Sequence, residues 1–344
     1  MSEGQTLISD IPLRLRIALL FGGPGRERDV SFASAKRVLA ALRSHAHQVT
    51  AIDLSTGPLT PKDEEETLGG WNVSERVPDS LVNTGREVQV INDLVAADYD
   101  LIFLALHGSP GEDGTVQAAL DLKGMRYTGS RFAACARTFD KHSAKQWLHL
   151  AGIDTPQWIL VRRNEPTPNV GHIGFPVVVK PRREGSTIGI SLVRSADELE
   201  VALANARDFC DDVLIERYIA GRELTVGVLN GSALAMGEIL LEPLQLFDYA
   251  SKYQAGMVRE VFPAQASPAL LAEVKRLALA AHQTLELGSY SRVDIRLDAQ
   301  SRPWVLEVNS LPGLTQNSLL PQSALAAGVA FEDLCETIVR TGLL

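Results

Sequence analysis

An apolar run that ends in two glycines and leads into an amphipathic segment constrains the fold of this chain more than any other feature. Residues 15–21 (LRIALLF) form the run, glycines occupy 22–23, and apolar residues recur at helical spacing over 30–42. The same arrangement returns where residues 101–106 (LIFLAL) pass through a polar loop into the helical segment 116–122. This alternation predicts a parallel αβα layer over roughly the first 130 residues.

The pattern changes after about residue 133. Runs rich in Val and Ile at 177–179 and 213–215, and strand alternation at 225–229 and 233–241, predict mainly antiparallel sheet. The remaining expected elements are a helix at 270–285, strands at 291–297 and 304–308, and a final helix that ends at 339. We therefore expect an α/β part followed by an α+β part, divided into residues 1–132, 133–224 and 225–344.

Composition excludes some classes of function. The chain has 344 residues, of which 45% are hydrophobic, and this is enough for two or three domains with buried cores. A formal charge of -9 without a Lys or Arg run argues against nucleic acid as a partner. We expect a cytoplasmic protein that does not enter the membrane, because no signal-like segment or long apolar run is present. Cys135, Cys210 and Cys335 lie far apart, which predicts reduced thiols.

Residues 56–95 show no clear periodicity. They contain Pro58, Pro61, the acidic run 63–66 and glycines at 69–70, which together predict an irregular insertion. We attach no function to this insertion.

Two polar pairs on neighbouring predicted strands suggest a metal site. Arg292 and Asp294 are two residues apart, as are Glu307 and Asn309, so each pair lies on one face of its strand. Two carboxylates and an amide form the hard oxygen cluster that Mg²⁺ prefers beside nucleotide phosphates. An ion-paired surface ladder explains these residues equally well when they are taken alone. The loop 310–315 (SLPGLT) favours the metal site, because its backbone N–H groups, together with Arg292, could stabilise an oxyanion.

Two further segments suggest a nucleotide site. A strand ends in Lys180 and leads into the loop 181–189, whose glycines and hydroxyl groups can fold over phosphates. Its spacing excludes a Walker P-loop, and a simple hairpin turn is the alternative. The segment Glu216–Glu223 (ERYIAGRE) offers the apolar Ile219 to adenine and carboxylates to ribose, although an ordinary charged hairpin has the same composition.

Taken together and in order, these blocks resemble the ATP-grasp enzymes. The blocks concerned are Lys141, Lys180, residues 184–187 (EGST), residues 216–223, and Asp294, Glu307 and Asn309. Further blocks narrow the resemblance to the D-alanine–D-alanine ligases. These are residues 20–31 (LFGGPGRERDVS), 106–114 (LHGSPGEDG), 127–130 (YTGS), 247–253 (FDYASKY) and 309–319 (NSLPGLTQNSL). The likeness spans roughly residues 15–340.

The resemblance implies an ATP-grasp fold with an N-terminal parallel αβα domain, and ATP held between two antiparallel sheets. Residues 1–132 would form the substrate domain, 133–224 the central ATP-grasp subdomain, and 225–344 the C-terminal subdomain with the catalytic loop. Two Mg²⁺ or Mn²⁺ ions would bind Asp294, Glu307 and Asn309. The implied ATP contacts are Lys141, Lys180, Glu184, Ser186, Glu216, Ile219, Glu223 and Lys252.

The resemblance also implies a reaction. ATP would phosphorylate one D-alanine, and the amine of a second D-alanine would attack this acyl phosphate, giving D-Ala-D-Ala for peptidoglycan precursors. The implied catalytic residues are Glu27, Ser186, Lys252, Tyr253, Arg292 and Gly313. The implied substrate contacts are Glu27, Val30, His107, Arg292, Gly313, Ser318 and Leu319. A lid at about 246–262 would close the site, and the expected assembly is a homodimer. For His107, simple packing at a strand end stays an alternative.

Other functions remain to be weighed. A ligase that takes D-lactate or D-serine as acceptor would use the same ATP chemistry, although Tyr253 favours D-alanine by the resemblance. A nonenzymatic nucleotide-binding protein could keep the fold, but the intact set of Lys180, Arg292 and Asp294 argues against it. A dinucleotide-dependent oxidoreductase is disfavoured, because the glycines at 22–25 lack the Gly-x-Gly-x-x-Gly spacing.

Overall fold

The structure is a computed structural model that describes residues 12–69, 85–241 and 258–344. The strands are β1 (Arg16–Phe21), β2 (Gln48–Asp53), β3 (Gly57–Pro58), β4 (Leu101–Leu104), β5 (Trp158–Val161), β6 (Val177–Pro181), β7 (Ser191–Val193), β8 (Val213–Arg217), β9 (Arg222–Leu229), β10 (Ser232–Leu240), β11 (Arg259–Val261), β12 (Tyr290–Leu297) and β13 (Pro303–Asn309). The helices are α1 (Arg28–Ser44), α2 (Pro61–Leu68), α3 (Glu87–Asp93), α4 (Thr115–Leu122), α5 (Phe132–Phe139), α6 (Lys141–Leu150), α7 (Ala196–Arg207), α8 (Pro268–Thr284), α9 (Leu319–Ala326) and α10 (Phe331–Gly342). Within these described ranges, no helix has the length and apolar character needed to cross a membrane.

The N-terminal layer is built on a sheet with the strand order β3-β2-β1-β4. β1 runs parallel to both β2 and β4, as the alternation of strands and helices predicts, while the short β3 is antiparallel. β1 is a run of aliphatic residues with Phe21 at its end, and five of its six residues are buried, as expected for a central parallel strand covered on both faces. This sheet therefore fixes where the loop between β1 and α1 emerges.

The last helix of the chain returns to this first layer. Leu334, Cys335, Ile338 and Val339 of α10 belong to the same hydrophobic core as β1 and β4. The N-terminal layer thus includes residues from both ends of the chain. The boundary expected after residue 224 falls inside β9, whose pairing with β12 starts at Arg222.

Two antiparallel sheets form the rest of the molecule. One has the order β5-β8-β6-β7, and the other has the order β11-β10-β9-β12-β13. Their presence after the parallel layer confirms the predicted mixed fold with two antiparallel sheets. The register between β12 and β13 places Asp294 opposite Glu307 and Arg292 opposite Asn309, so four predicted site residues share one patch of sheet.

The expectation of an irregular insertion at 56–95 was wrong for its described parts. α2 and α3 lie within that range, and β3 begins it. Thr60 caps α2 through a reciprocal pair of hydrogen bonds with Asp63, and Pro61 occupies the first helical position. Proline is well suited to that position because its missing N–H would have no helical partner there. Pro61 therefore starts a helix, whereas the sequence analysis treated it as a breaker.

Candidate active site

A branched cleft lies where the three sheets meet, and most of the predicted site residues line it. Its first arm is lined by Glu27, His107, Glu112, Gly185, Ser186, Arg292, Asn309, Leu311, Pro312, Gly313, Asn317, Ser318 and Leu319. Its second arm is lined by Val178, Lys180, Thr187, Ile190, Glu216, Arg217, Tyr218, Ile219, Glu223, Asp294, Arg296, Leu306 and Glu307. A connecting region shares Glu307 with the second arm, and shares Glu112, Gly185, Ser186 and Asn309 with the first. We call these parts the acidic arm, the nucleotide arm and the junction.

Glu27 is the central group of the acidic arm. It precedes α1, is 4% exposed, and accepts a short hydrogen bond from the Ser186 hydroxyl through Oε1. Its other oxygen, Oε2, has no hydrogen-bond partner among the described residues. Burial, together with the negative charge of Glu112, raises the pKa of Glu27 from 4.5 to about 7. A buried carboxylate oxygen without a partner is suited to a cationic ligand.

Two glycines give a ligand access to this carboxylate. A methyl group added at Gly185 would collide with Glu27 Oε2, and one added at Gly108 would lie 3.1 Å from the same oxygen. The loop after β6 continues from Gly185 through Ser186 and Thr187, which have φ of 46° and 62°. Left-handed backbone at two successive residues that are not glycine is costly, and such strain is concentrated at functional sites. This conformation brings the Ser186 hydroxyl onto Glu27.

His107 lies beside Glu27 in the acidic arm. Its Nε2 is 3.1 Å from the hydroxyl of Ser34, and its Nδ1 is 3.5 Å from Glu112 Oε1. His107 is 6% exposed and lines the cleft.

The loop between β13 and α9 closes the opposite wall of the acidic arm. A Cβ at Gly313 would lie 2.6 Å from Ser318 Oγ, so only glycine fits without displacing that hydroxyl. Ser318 accepts a hydrogen bond from Thr315 N at 3.0 Å and immediately precedes α9. The positive end of the α9 dipole therefore faces the cleft next to Leu319.

The paired strands β12 and β13 place oxygen ligands at the floor of the junction. Asp294 accepts hydrogen bonds from Thr225 Oγ1 at 2.8 Å and from Asn309 Nδ2 at 3.1 Å. Arg292 forms an ion pair with Asp294 at 2.8 Å. The oxygens of Asp294, Glu307 and Asn309 suit a hard divalent cation, and the four residues are more than an exposed ladder because they line the cleft.

Two lysines share one carboxylate in the nucleotide arm. Lys180 Nζ lies 2.7 Å and Lys145 Nζ lies 3.3 Å from Glu216 Oε1, and all three residues are at most 5% exposed. Lys145 also donates to Thr155 Oγ1 at 2.6 Å and to the carbonyl of Pro156 at 3.1 Å. Burial lowers the pKa of Lys145 to about 8. At this point in the arm, two ammonium groups therefore face one carboxylate.

Arg296 organises the other side of the nucleotide arm. Its guanidinium donates to the carbonyl of Ile219 at 3.0 Å, to Glu223 at 3.1 Å and to the hydroxyl of Tyr218 at 2.8 Å. The segment between β8 and β9 is therefore held against β12 by one buried side chain. The sequence analysis missed Arg296, although its position two residues after Asp294 puts it on the same strand face.

Lys141 and Glu184 lie at the junction. The Lys141 ammonium donates to the main-chain carbonyl of Glu184, and burial lowers the Lys141 pKa although Glu307 raises it. Asp140 caps α6 by accepting from Ser143 N at 3.1 Å, which sets the direction in which Lys141 leaves the helix. The cation thus lies between the two arms.

Three predicted residues are not among the described residues that line this cleft. Val30 is fully buried within α1 and is not among the residues lining the acidic arm. Lys252 and Tyr253 lie outside the described residues, as does most of the expected lid. The described end of that lid, Arg259–Val261, is the strand β11 and pairs with β10.

Two family models match this chain and together cover most of it. The model described as D-ala D-ala ligase N-terminus matches residues 16–130, and the one described as D-ala D-ala ligase C-terminus matches residues 147–340.

Comparisons with individual proteins also find D-alanine–D-alanine ligases. The chain is 38% identical to the D-alanine–D-alanine ligase of Geobacter sulfurreducens, over 94% of this chain and 93% of that protein. It is 36% identical to the ligase of the same name from Halalkalibacterium halodurans, over 96% and 99%. Among solved structures, the Bacillus anthracis D-alanine–D-alanine ligase complexed with ATP superposes with a TM-score of 0.77 at 30% identity, covering 96% of this chain and 97% of that one. The VanG D-Ala:D-Ser ligase of Enterococcus faecalis superposes with a TM-score of 0.80 at 26% identity, covering 96% and 99%.

Proposed function

This chain belongs to the D-alanine–D-alanine ligase family, and from that premise we infer that it joins two D-alanine molecules into D-Ala-D-Ala. The reaction converts ATP to ADP and phosphate, passes through a D-alanyl phosphate, and supplies peptidoglycan precursor synthesis. The observation that carries this function is the continuous cleft that holds the buried carboxylate of Glu27 in one arm and, in the other, a buried cluster of two lysines around Glu216. An amino acid and a nucleotide can meet there with their reacting groups at the junction.

In the first step, a carboxylate oxygen of one D-alanine attacks the γ-phosphorus of ATP, and ADP leaves. We propose that Glu27 binds the ammonium group of this D-alanine, because its buried Oε2 has no partner among the described residues. Lys141 and Lys180 are proposed to bind the phosphates, since Lys141 at the start of α6 lines the junction and Lys180 on β6 lines the adjoining nucleotide arm. We propose that Glu216, Ile219 and Glu223 contact the adenine and ribose, because all three line the nucleotide arm.

In the second step, the amine of another D-alanine attacks the carbonyl carbon of the acyl phosphate. The tetrahedral oxyanion then collapses, phosphate leaves, and the new amide nitrogen loses a proton. We propose that Arg292 and the Gly313 N–H stabilise this oxyanion, because both line the acidic arm beside Asn309. Ser318 and Leu319 would receive the carboxylate of the second D-alanine at the positive end of α9.

We further propose that Asp294, Glu307 and Asn309 hold Mg²⁺ or Mn²⁺, with two ions in the complete site. The support is the register of β12 and β13, which sets two carboxylates and an amide side by side at the junction. Ions bound there offset the charge of the transferring phosphoryl group. Arg292, now paired with Asp294, would then be released toward the oxyanion.

Tyr253 and Lys252 remain proposals by resemblance, as does closure of a lid over the site. We propose D-alanine as the second substrate, since the curated relatives at 36–38% identity carry D-alanine–D-alanine ligase names. The D-Ala:D-Ser ligase is 26% identical. A cytoplasmic location is proposed because ATP is a cytoplasmic substrate and the three cysteines are free. The homodimer stays a prediction, which sedimentation would test.

The direct assay is phosphate release from ATP and Mg²⁺ with D-alanine alone, and then with added D-lactate or D-serine, with the products identified by mass. D-Ala-D-Ala as the main product in every mixture supports the proposal. A mixed product would keep the mechanism and change the acceptor. No product from any D-amino acid would contradict the assigned reaction.

A further inference from the structure

Helix α1 reaches across the cleft to the loop that carries Gly313. Ser34 is fully buried, accepts a hydrogen bond from Leu314 N at 3.2 Å, and lies 3.1 Å from His107 Nε2. One turn later, Arg37 Nη1 donates to the carbonyls of Leu314 at 3.3 Å and Thr315 at 2.7 Å. Ser34 and Leu314 are 280 residues apart in sequence, so neither is expected from local pattern.

The Arg37 guanidinium is itself held in place. It lies over the ring of Phe331 at 3.8 Å from the ring centroid, within the range of a cation–π contact. Phe331 begins α10, which packs on the N-terminal layer. The helix that carries Arg37 and the ring beneath its guanidinium therefore belong to the same layer. The two carbonyl contacts come from a single nitrogen whose position is thereby fixed.

These contacts determine the orientation of one peptide group. The Gly313–Leu314 peptide is planar, so holding Leu314 N on Ser34 fixes the plane that follows Gly313. Arg37 holds the carbonyls of Leu314 and Thr315. The Gly313 N–H belongs to the preceding peptide group, which is thus joined directly to an anchored segment. Glu27 precedes α1, and the seven residues from Glu27 to Ser34 correspond to about 10 Å at 1.5 Å per residue. One helix therefore sets the distance between the ammonium-binding carboxylate and the loop.

Ser34 also contacts His107. Its oxygen accepts from Leu314 N and lies within hydrogen-bond distance of His107 Nε2. The other ring nitrogen, Nδ1, faces Glu112 Oε1. The same hydroxyl thus links the Gly313 loop to two side chains of the acidic arm.

We propose that Ser34 and Arg37 are positioning residues that align the oxyanion-binding Gly313 N–H with the D-alanine held by Glu27. The inference rests on the proposed function, because it assigns these residues to the second step of that reaction. Neither side chain lines the cleft, so they act on the loop and do not touch the substrate.

The test compares Ser34→Ala, Arg37→Met and Arg37→Lys with two control variants on the same helix. Arg43→Met removes a cation that pairs with Glu64, and Ser44→Ala removes a hydroxyl bonded to the carbonyl of Ala41. For each variant, kcat, KM for ATP, the thermal midpoint, and the affinity of a phosphinate analogue of the tetrahedral intermediate are measured.

Ser34→Ala and Arg37→Met should each lower kcat and phosphinate affinity about tenfold, less than loss of the donor itself, with KM for ATP changed less than about twofold. Arg37→Lys should recover most of the lost kcat and phosphinate affinity, because one ammonium nitrogen can replace Nη1 in its two contacts. The controls should match the wild type. If Ser34→Ala does not fold, the two Arg37 variants decide the question.

Unchanged phosphinate affinity in Ser34→Ala and Arg37→Met would overturn the inference, as would an equal loss in Arg43→Met. If the wild type makes D-Ala-D-Ala while these variants are unaffected, the proposed function stands and the positioning role fails. If the wild type makes no dipeptide, the proposed function fails and the positioning role fails with it.

Discussion

The acidic arm around Glu27 and the nucleotide arm around Glu216 bury ionisable groups in opposite ways. In the acidic arm, burial and the neighbouring Glu112 raise the pKa of Glu27 to about 7. In the nucleotide arm, Lys145 and Lys180 share the single carboxylate of Glu216, and burial lowers the pKa of Lys145 to about 8. Glu27 in the acidic arm would be neutralised by the ammonium group of its proposed ligand. The two lysines in the nucleotide arm would be neutralised by the phosphates of theirs. We therefore expect each arm to select its own substrate before any chemistry begins.

Glu27→Gln should produce the largest change, because it removes the only buried charge assigned to the ammonium group. We expect kcat/KM for D-alanine to fall about a hundredfold, the scale of a charge-assisted hydrogen bond. KM for ATP should change by less than about threefold, since the nucleotide arm is untouched. Steady-state kinetics with each substrate varied in turn gives both numbers. An equal loss toward ATP would show that the arms do not act separately.

The same variant should be more stable than the wild type at alkaline pH. The folded-state pKa of about 7 lies above the ordinary value of 4.5, so the folded protein holds a proton that the unfolded chain has lost between these values. Wild-type stability is therefore highest below pH 4.5 as far as Glu27 is concerned, and it falls as pH rises through 7. At pH 8, urea titrations should give Glu27→Gln a free energy of unfolding about 3 kcal/mol higher than that of the wild type. A variant less stable than the wild type at that pH would contradict burial of an unpaired charge.

Lys145→Met should affect the opposite arm. Glu216 would keep Lys180 alone, and Thr155 and Pro156 would lose a donor, so KM for ATP should rise about tenfold. Lys62→Met is the matched control, because Lys62 forms an exposed ion pair with Glu66 and should leave all constants unchanged. A rise in KM for D-alanine with an unchanged KM for ATP would contradict the assignment of Lys145 to the nucleotide arm.

The smallest effect concerns pH. Glu27 must be ionised to bind an ammonium group, so kcat/KM for D-alanine should rise with pH through an apparent pKa of about 7. Glu112→Gln removes a neighbouring negative charge and should move this limb to lower pH by less than about one unit. If the apparent pKa in the pH profile of Glu112→Gln equals that of the wild type, the charge of Glu112 does not influence the ionisation of Glu27.

The sequence predicts much of the fold and most of the cleft, because both depend on local regularity. Alternation of strands and helices predicts the parallel layer around β1, and spacing of two predicts that Arg292 and Asp294 share one face of their strand, as Glu307 and Asn309 do on theirs. Lys145 was missed even though it lies four residues after Lys141, a spacing that puts both on one side of α6.

Ser34 and Arg37 could not be predicted in this way. Their partners lie at the far end of the chain, and only the return of the β13–α9 loop to the N-terminal layer brings them together. The helix at Pro61 was also missed, since a proline next to polar residues suits a turn as well as a helix start. The capping hydrogen bonds of Thr60 distinguish the two.

The proposed reaction requires that the two arms meet at the junction, where a D-alanine carboxylate attacks ATP. The most direct test uses D-alanine with ¹⁸O in both carboxylate oxygens, ATP without label, and mass analysis of the phosphate released. If the carboxylate is phosphorylated, each phosphate released carries one ¹⁸O atom, since the bridging oxygen leaves with phosphorus when the amine attacks. Unlabelled phosphate accompanying dipeptide formation would contradict phosphorylation of the substrate, and with it the proposed use of the junction.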